Sequence, residues 1–213
     1  MSRNGSPTKT ARRRESAEGA AFNRREVADL LGVSLQAIDK AIEQGVVIRQ
    51  QKHGETLIER EGLVVMAILG HAKVDLPVRV KQQVRRWVST QRPHVKRGEQ
   101  SLQVSDVITV HLSALVREVV AEAEEYAAAR KRFIENNPQI FGGQPVIAGT
   151  RIPVNAVARR LEMGDTIETL EDDYPHVDPR AFEVAARYAK THPRRGRPVK
   201  PWRERGGRRA NQM

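Results

Sequence analysis

The hydrophobic residues that follow residue 20 recur first at the spacing of helices and then at that of strands. Asn23 is a good helix N-cap, and the apolar residues after it lie three and four positions apart, as on one face of a helix. Gly32 is suited to end this helix in a left-handed conformation, and Ser34 is the N-cap of a second helix, which ends at Gly45. The apolar positions are Val27, Leu30 and Leu31 in the first helix and Leu35, Ile38 and Ile42 in the second.

The remaining chain continues in a mainly helical pattern with short extended segments between the helices. A polar stretch around Gly54 separates two apolar runs, which indicates a β-hairpin. The sequence therefore predicts a mainly α protein with short β pieces. The further predicted elements are a β-hairpin over 46–58, helices over 61–71 and 77–90, a strand over 104–112, a helix over 113–135 and short helices over 154–162, 167–174 and 178–192.

The first two helices and their connection have the pattern of a helix-turn-helix. This motif packs two helices at a steep angle, so it needs a small residue where they approach, a glycine in the turn and an apolar residue after it. Ala28, Gly32 and Val33 meet these demands, and Ile38 is the predicted buried residue of the second helix. That helix would lie in the major groove of DNA. Its outward residues are predicted to be Ser34, Gln36, Ala37, Lys40 and Ala41.

The hairpin after the second helix is predicted to be a wing that lies over the phosphates. The whole segment resembles the winged helix-turn-helix of MerR-type regulators. The structural alternative is a small helical hairpin with a glycine loop, because residues 20–60 contain six Arg/Lys and six Asp/Glu, whereas DNA-binding modules usually have a basic face. The predicted DNA-binding residues are Arg12, Arg13, Arg14, Arg24, Ser34, Gln36, Ala37, Lys40, Lys52 and His53. Of these, Gln36 is suited to a bidentate contact with adenine.

The net charge of +11 is concentrated near the chain ends. Residues 1–19 contain five Arg/Lys and two Glu, a net charge of +3, and residues 193–213 contain eight Arg/Lys and one Glu, a net charge of +7. The residues between them carry a net charge of only +1. Segments of this composition bury too little apolar surface to fold alone and attract polyanions. The alternative is that they only increase solubility.

A second motif covers residues 142–154, with the sequence GGQPVIAGTRIPV. Gly143 and Gly149 permit backbone conformations that are closed to other residues, and Pro145 and Pro153 fix φ beside them. The extended pieces between them are suited to add a strand to a sheet, most simply across a two-fold axis. No Lys-Ser/Thr pair follows the last glycine, so the motif is not a phosphate loop. From the residues alone, the favoured interpretation is a rigid connector to a three-helix domain.

The same run, followed by Gly164, Tyr174, Pro175 and the helix over 178–189, closely resembles a small bacterial family of VapB-type antitoxin domains. The family is catalogued as domain of unknown function 433, and the resemblance covers about residues 131–192. It implies a homeodomain-like three-helix fold, found in antitoxins that are encoded beside toxins of the PIN ribonuclease type. An N-terminal helix-turn-helix ahead of this domain resembles the longer members of the group.

The partner that the resemblance implies suggests a role for the C-terminal tail. PIN-type nucleases hold Mg²⁺ in a cluster of carboxylates, and an arginine guanidinium matches carboxylates in a bidentate fork. We therefore predict that the tail wraps the toxin and places an arginine where metal and RNA phosphate would bind. Its prolines favour an extended conformation. The predicted toxin-binding residues are Arg194, Arg195, Arg197, Trp202 and Arg203.

No catalytic pattern competes with a binding function. The chain has no cysteine, and its six histidines have no metal-ligand spacing. We expect no enzymatic activity, metal or cofactor, and we expect a cytoplasmic protein because no apolar run is long enough to cross a bilayer. The main alternative is a free-standing helix-turn-helix regulator whose tail binds DNA. An RNA-binding accessory protein is a third possibility, which the scarcity of aromatic residues disfavours.

Five regions and a homodimer are predicted. The middle of the chain contains a strand and a long helix whose apolar stripes need a partner, so we predict a dimer interface there; two-fold proteins also suit two-fold operators. The regions are a basic arm over 1–19, a winged helix-turn-helix over 20–72, a helical linker and dimerisation region over 73–130, an antitoxin-like three-helix domain over 131–192 and a basic toxin-neutralising tail over 193–213.

Overall fold

A computed structural model describes residues 20–52, 54–72, 74–90, 101–106, 108–111 and 114–193. This part of the chain is mainly helical with short strands, as predicted. Its elements are β1 (Ala21–Asn23), α1 (Arg24–Leu31), α2 (Leu35–Glu43), β2 (Arg49–Lys52), β3 (Glu55–Glu59), α3 (Arg60–His71), α4 (Val78–Thr90), β4 (Ser101–Ser105), β5 (Ile108–His111), α5 (Ala114–Phe133), β6 (Ile134–Glu135), a 3₁₀ turn (Phe141–Gly143), β7 (Val146–Ile147), α6 (Val154–Glu162), α7 (Ile167–Asp173) and α8 (Pro179–Thr191).

The N-terminal part combines three helices with an antiparallel sheet in the order β1-β3-β2. The predicted hairpin is present, with Gly54 at a positive φ of 76° in its turn, but its first strand is the polar run Arg49–Lys52 and not the apolar run that begins at Val46. The sequence pattern did not predict β1, because three residues are too few to show an alternating pattern. Phe22 of β1 lies opposite Ile58 of β3, and both side chains are buried.

Helix α3 lies at the centre of the core. Its residues are buried without interruption from Gly62 to Ile68, which is typical of a helix that is covered on every side. Gly62 lets α3 approach the sheet: a Cβ atom there would lie 2.7 Å from Cγ2 of Ile58. Helix α4 packs against α3 and buries Val84 and Val88.

Helix α5 packs against both α3 and α8 and so connects the two halves of the chain. Its apolar stripe, which was predicted to need a partner chain, is already covered within the monomer, because Val116, Val120, Ala123 and Tyr126 are all buried. The reason for placing a dimer interface on this stripe was therefore wrong. The homodimer itself stays a prediction.

Two predicted boundaries around α5 are corrected. The single strand expected over 104–112 is a hairpin of β4 and β5, in which Leu102 lies opposite Val110. A turn at Asp106 reverses the chain, so Val104 belongs to β4 whereas Ile108 and Val110 belong to β5. The long helix ends at Phe133, and Ile134 and Glu135 form β6 instead.

The C-terminal part consists of a two-stranded sheet and three helices. Strand β7 pairs with β6 of the same chain, and Val146 also bridges to Pro153. The extended pieces of the second motif therefore pair within the chain, and the expected pairing across a two-fold axis is not what the structure shows. Gly143 and Gly149 have positive φ values, 86° and 72°, as predicted. The three predicted helices are confirmed as α6, α7 and α8.

Candidate nucleic-acid interface

Helices α1 and α2 meet at a tight turn whose geometry follows from local capping. Gly32 has φ 63°, and its N–H donates to the carbonyl of Ala28. The N–H of Val33 donates to the same carbonyl over 3.2 Å, and the hydroxyl of Ser34 accepts from the N–H of Ala37 over 3.1 Å. Ile38 is fully buried, as predicted. The turn therefore holds α2 against the core while one face of α2 stays open.

The open face of α2 contains four of the ten residues predicted to contact DNA. Ser34, Gln36, Ala37 and Lys40 are exposed. Ala41, which was also expected to face outward, is buried, because it lies three residues after the buried Ile38 and therefore on the same side of α2. Leu35, expected on the apolar face, is 37% exposed.

Cationic side chains flank this open face on two sides. On one side, Arg24 of α1 forms an ion pair with Asp39 of α2. On the other side, Lys81 of α4 pairs with Asp75 over 2.7 Å, and this hydrogen bond, together with the charges of Lys81 and Lys40, holds the pKa of the Asp75 carboxyl below its usual range. Successive residues are rotated by about 100° around the helix axis. Gln36 therefore lies between the side of α2 that contains Asp39 and the side that contains Lys40.

The predicted wing projects beside α1. Lys52 is exposed at the end of β2, and the side chain of Gln51 donates to Thr56 across the hairpin over 3.0 Å. His53 lies outside the described residues, as do the predicted arm residues Arg12, Arg13 and Arg14. The predicted toxin-binding residues Arg194, Arg195, Arg197, Trp202 and Arg203 also lie outside them.

A groove of about 780 Å³ separates the wing turn and the start of α1 from the C-terminal part. Arg24, Arg25 and Thr56 line one side, and Asn155 and Pro193 line the other. Arg25 is exposed, and its side chain has no ion-pair partner in the described part of the chain. The groove is therefore open to solvent and bordered by two arginines.

A buried polar network holds the two sides of this groove together. Glu26 of α1 is 1% exposed and forms an ion pair with Arg130 of α5. The hydroxyl of Tyr126 donates to the same carboxylate over 3.2 Å, and the N–H of Asn23 donates to it over 2.8 Å. Burial and the nearby Glu26 charge raise the pKa of Tyr126, so its hydroxyl stays a donor. The first and second halves of the chain thus meet at one carboxylate.

The end of α8 joins this network through His192. The side-chain oxygen of Asn23 accepts the N–H groups of Arg25 and Glu26, so its NH₂ group faces Nε2 of His192 at 2.9 Å. Nε2 must therefore accept, and Nδ1 carries the proton, which it donates to the carbonyl of Tyr188 over 3.1 Å. Burial lowers the pKa of His192, in agreement with a neutral ring.

A second contact between the halves lies on Asp29 of α1. Arg187 and Lys190 of α8 both bond its carboxylate, at 2.9 and 2.6 Å. Partial burial raises the pKa of Asp29, but the hydrogen bonds from Lys190 and Arg187 outweigh it and hold the pKa below its usual range. Helix α1 is thus tied to α8 as well as to α5.

Sequence reasoning missed these residues. Asn23 and Glu26 have the spacing of a capping box, which the structure forms, and this signal was available in the sequence. Nothing local indicated that the same glutamate would meet Arg130, 104 residues away. Arg25 was also missed, because an exposed arginine in a helix gives no signal of its own.

The described residues contain neither a metal-site arrangement nor a membrane-spanning helix. No group of three or more histidine or acidic side chains there is arranged to hold a metal ion. None of the described helices is both long and apolar enough to cross a membrane.

The chain is similar in part to known proteins. The chain is 34% identical over 92 residues to the uncharacterized protein y4eO of Sinorhizobium fredii (strain NBRC 101917 / NGR234), a match that covers 43% of this chain. The chain spans about two fifths (41%) of the length of that relative. The X-ray crystal structure of Rv2018 from Mycobacterium tuberculosis matches 77% of this chain and 95% of its own, with 16% identity and a TM-score of 0.37, too low to assign the fold.

A family model locates the second motif and the helices after it. The model described as "Protein of unknown function (DUF433)" matches residues 134–189, which run from β6 through most of α8. The matched region includes the glycine-rich run from which the resemblance was inferred. Residues 134–189 of this chain are a DUF433 domain.

Proposed function

We propose that this protein is the antitoxin of a bacterial type II toxin–antitoxin pair and acts in the cytoplasm. It binds its own promoter through α1, α2 and the β2–β3 hairpin as a winged helix-turn-helix, and it represses transcription there. Its C-terminal half binds and inhibits a PIN-type ribonuclease. The protein is not itself an enzyme.

The DNA-binding part of the proposal rests on the open polar face of α2. Ile38 and Ala41 anchor this helix in the core, while Gln36, Ala37 and Lys40 remain free to enter a groove. A glutamine side chain matches the major-groove edge of adenine in a bidentate contact, and an alanine methyl suits the methyl group of thymine. A homodimer would present two such helices to a two-fold operator.

The antitoxin part is supported by the DUF433 domain and by its resemblance to VapB-type antitoxin domains. The PIN-type partner follows from that resemblance alone. The basic tail after His192 supplies arginines, whose guanidinium groups are chemically suited to a carboxylate-rich nuclease site. A free-standing regulator with the same DNA-binding half differs from this proposal only in having no nuclease partner.

The DNA-binding part is tested by Gln36→Ala in the full-length protein. We expect a loss of about 1–3 kcal/mol in binding a duplex with the protein's own promoter and little change on a random duplex of equal length. Gln139→Ala is the matched control, because it removes an exposed glutamine from the C-terminal part. Equal losses on both duplexes, or no promoter binding by the folded wild-type protein, would contradict the role of α2.

The antitoxin part is tested with the nuclease encoded by the neighbouring reading frame. RNA cleavage by that purified nuclease should stop when the protein is added in equimolar amount. If the nuclease cleaves RNA at an unchanged rate, or if no neighbouring frame encodes a nuclease, the protein is a free-standing regulator instead.

A further inference from the structure

Two ion pairs lie on the two sides of the open face of α2. On one side, the guanidinium of Arg24 pairs with the carboxylate of Asp39. On the other side, the ammonium of Lys81 donates to the carboxylate of Asp75 over 2.7 Å. Gln36, the residue proposed to contact a base, lies between these two sides. Each side of α2 therefore presents a cation that is already paired with a carboxylate of the same chain.

The pair of Lys81 with Asp75 borders a cavity between α2 and α4. The cavity has a volume of about 240 Å³, and its lining includes Ala37 and Lys40 of α2 as well as this pair. The Lys81 side chain is 17% exposed, whereas that of Asp75 is 82% exposed. Lys40 is exposed and forms no ion pair of its own among the described residues, but its charge acts on Asp75. The carboxylate thus lies on the solvent side of two ammonium groups.

The cations on the sides of α2 are the ones that a DNA backbone would meet first. Residues 20–60 contain equal numbers of basic and acidic residues, six of each. Contacts with phosphates nevertheless dominate the affinity of proteins for DNA. A helix in the major groove has a phosphate backbone on each side, because the groove is about as wide as a helix with its side chains. A backbone therefore competes with Asp39 on one side and with Asp75 on the other.

Neither carboxylate is held strongly enough to resist this competition. Asp75 is mostly exposed, and the side chains of Arg24 and Asp39 are both partly exposed. Ion pairs in contact with solvent contribute little stability. A phosphate oxygen accepts a hydrogen bond from an ammonium or guanidinium group as a carboxylate oxygen does. The phosphate also releases a counterion when a protein cation replaces it, which favours the exchange further.

We propose that Asp39 and Asp75 occupy, in the free protein, the positions that two backbone phosphates take when DNA binds. One phosphate bonds Lys40 and Lys81 in place of Asp75, and the other bonds Arg24 in place of Asp39. The inference rests on the proposed DNA-binding function and names the residues that set its strength. Because backbone phosphates carry no sequence information, the two carboxylates weaken the binding of every duplex equally and leave sequence recognition to α2.

The test removes each member of the two pairs separately in the full-length protein. The cations are removed by Lys81→Gln and Arg24→Gln, and the carboxylates by Asp75→Asn and Asp39→Asn. Matched controls split an exposed ion pair between α5 and α8, namely Arg180→Gln and Glu125→Gln. Affinity for the promoter duplex and for a random duplex of equal length is measured from roughly 50 to 200 mM salt, because the slope of log affinity against log salt counts the phosphates contacted.

Lys81→Gln and Arg24→Gln should each lower the magnitude of this slope by about 0.9 on both duplexes, because each loses one phosphate contact. Asp75→Asn and Asp39→Asn should each raise the affinity about two- to five-fold on both duplexes, which is the range that breaking an exposed ion pair allows. Their slopes should stay close to that of the wild type, since the same phosphates are contacted. The controls should change the affinity less than about two-fold, because salt screens charges beyond about 10 Å.

Three results would overturn the inference. If Lys81→Gln and Arg24→Gln keep the wild-type slope, these cations do not contact phosphates. If Asp75→Asn and Asp39→Asn raise the affinity no more than Glu125→Gln does, only the total charge matters. If their effect is confined to the promoter duplex, the carboxylates act on base recognition instead. In all three cases the Gln36→Ala effect would still support the proposed function, whereas a folded wild-type protein that does not bind its promoter would overturn both.

Discussion

The ion pair between Glu26 and Arg130 is the contact whose loss should cost this fold the most. Among the described residues, Glu26 is the only charged side chain that is buried, and its carboxylate is fully covered while Arg130 is 24% exposed. Arg130→Met keeps most of the aliphatic volume but leaves a buried carboxylate whose remaining donors are the N–H of Asn23 and the hydroxyl of Tyr126. Removing one partner of a buried pair typically costs about 3–5 kcal/mol.

A control variant distinguishes the loss of this buried ion pair from the loss of an arginine in general. Arg180→Met removes an ion pair with Glu125 in which the side chains are 52% and 65% exposed, and such surface pairs contribute about 0–1 kcal/mol. The double variant Glu26→Gln/Arg130→Met buries no charge, and its amide oxygen can accept from the N–H of Asn23 while its NH₂ group donates to the hydroxyl oxygen of Tyr126. It should therefore be more stable than Arg130→Met alone, by at least about 1 kcal/mol of coupling.

Urea unfolding followed by helical circular dichroism measures these three variants and the single variant Glu26→Gln against the wild type. Our reasoning would be refuted by an Arg130→Met variant that loses no more stability than Arg180→Met. A double variant whose loss equals the sum of the two single losses would refute it too, because the charges would then act independently. The expected order of stabilities would show that this buried network connects the two halves of the fold.

Two further predictions concern stability. Because burial lowers the pKa of His192 in the folded state, the neutral ring stabilises the fold fully above the ordinary pKa of about 6.5, and this stability is lost as the pH falls towards the lowered value. The wild type should therefore lose more stability than His192→Gln between about pH 7.5 and 5.5, and parallel unfolding curves would contradict this. Gly62→Ala should cost about 1–3 kcal/mol, since its Cβ would lie 2.7 Å from Ile58 and 3.0 Å from Val47. Gly70→Ala, whose Cβ would meet only Val33 at 3.2 Å, should cost less, and the reverse order of melting temperatures would count against the packing argument.

The buried network also bears on how the two proposed activities are combined. Asn23 caps α1, the first helix of the proposed helix-turn-helix, and its side chain also contacts His192, the residue before the last described one. A ligand that displaces the end of α8 therefore acts directly on the start of α1. The N-terminal part, for which we propose DNA binding, and the DUF433 domain are joined by side chains as well as by the chain between them.

The sequence by itself determined the local elements. Asn23 and Ser34 start helices, Gly32 ends one in a left-handed conformation, and Gly54 turns the hairpin, because each of these signals acts within a few residues. The glycine-rich run over 142–154 was enough to indicate the family of the domain that follows it. The sequence pattern did not predict short strands such as β1 and β6, since they form only where a partner strand is already in place.

Only the tertiary structure decided which of these elements meet. The apolar stripe of α5 predicts that something covers it, but the pattern cannot distinguish a partner chain from α3 and α8 of the same chain. The meeting of Glu26 with Arg130, and of Asn23 with His192, joins residues more than 100 positions apart. The periodicity of apolar residues in a helix shows which of its faces is buried, but it does not show which element covers that face. The partner is chosen by the packing of whole surfaces, which no local run of residues encodes.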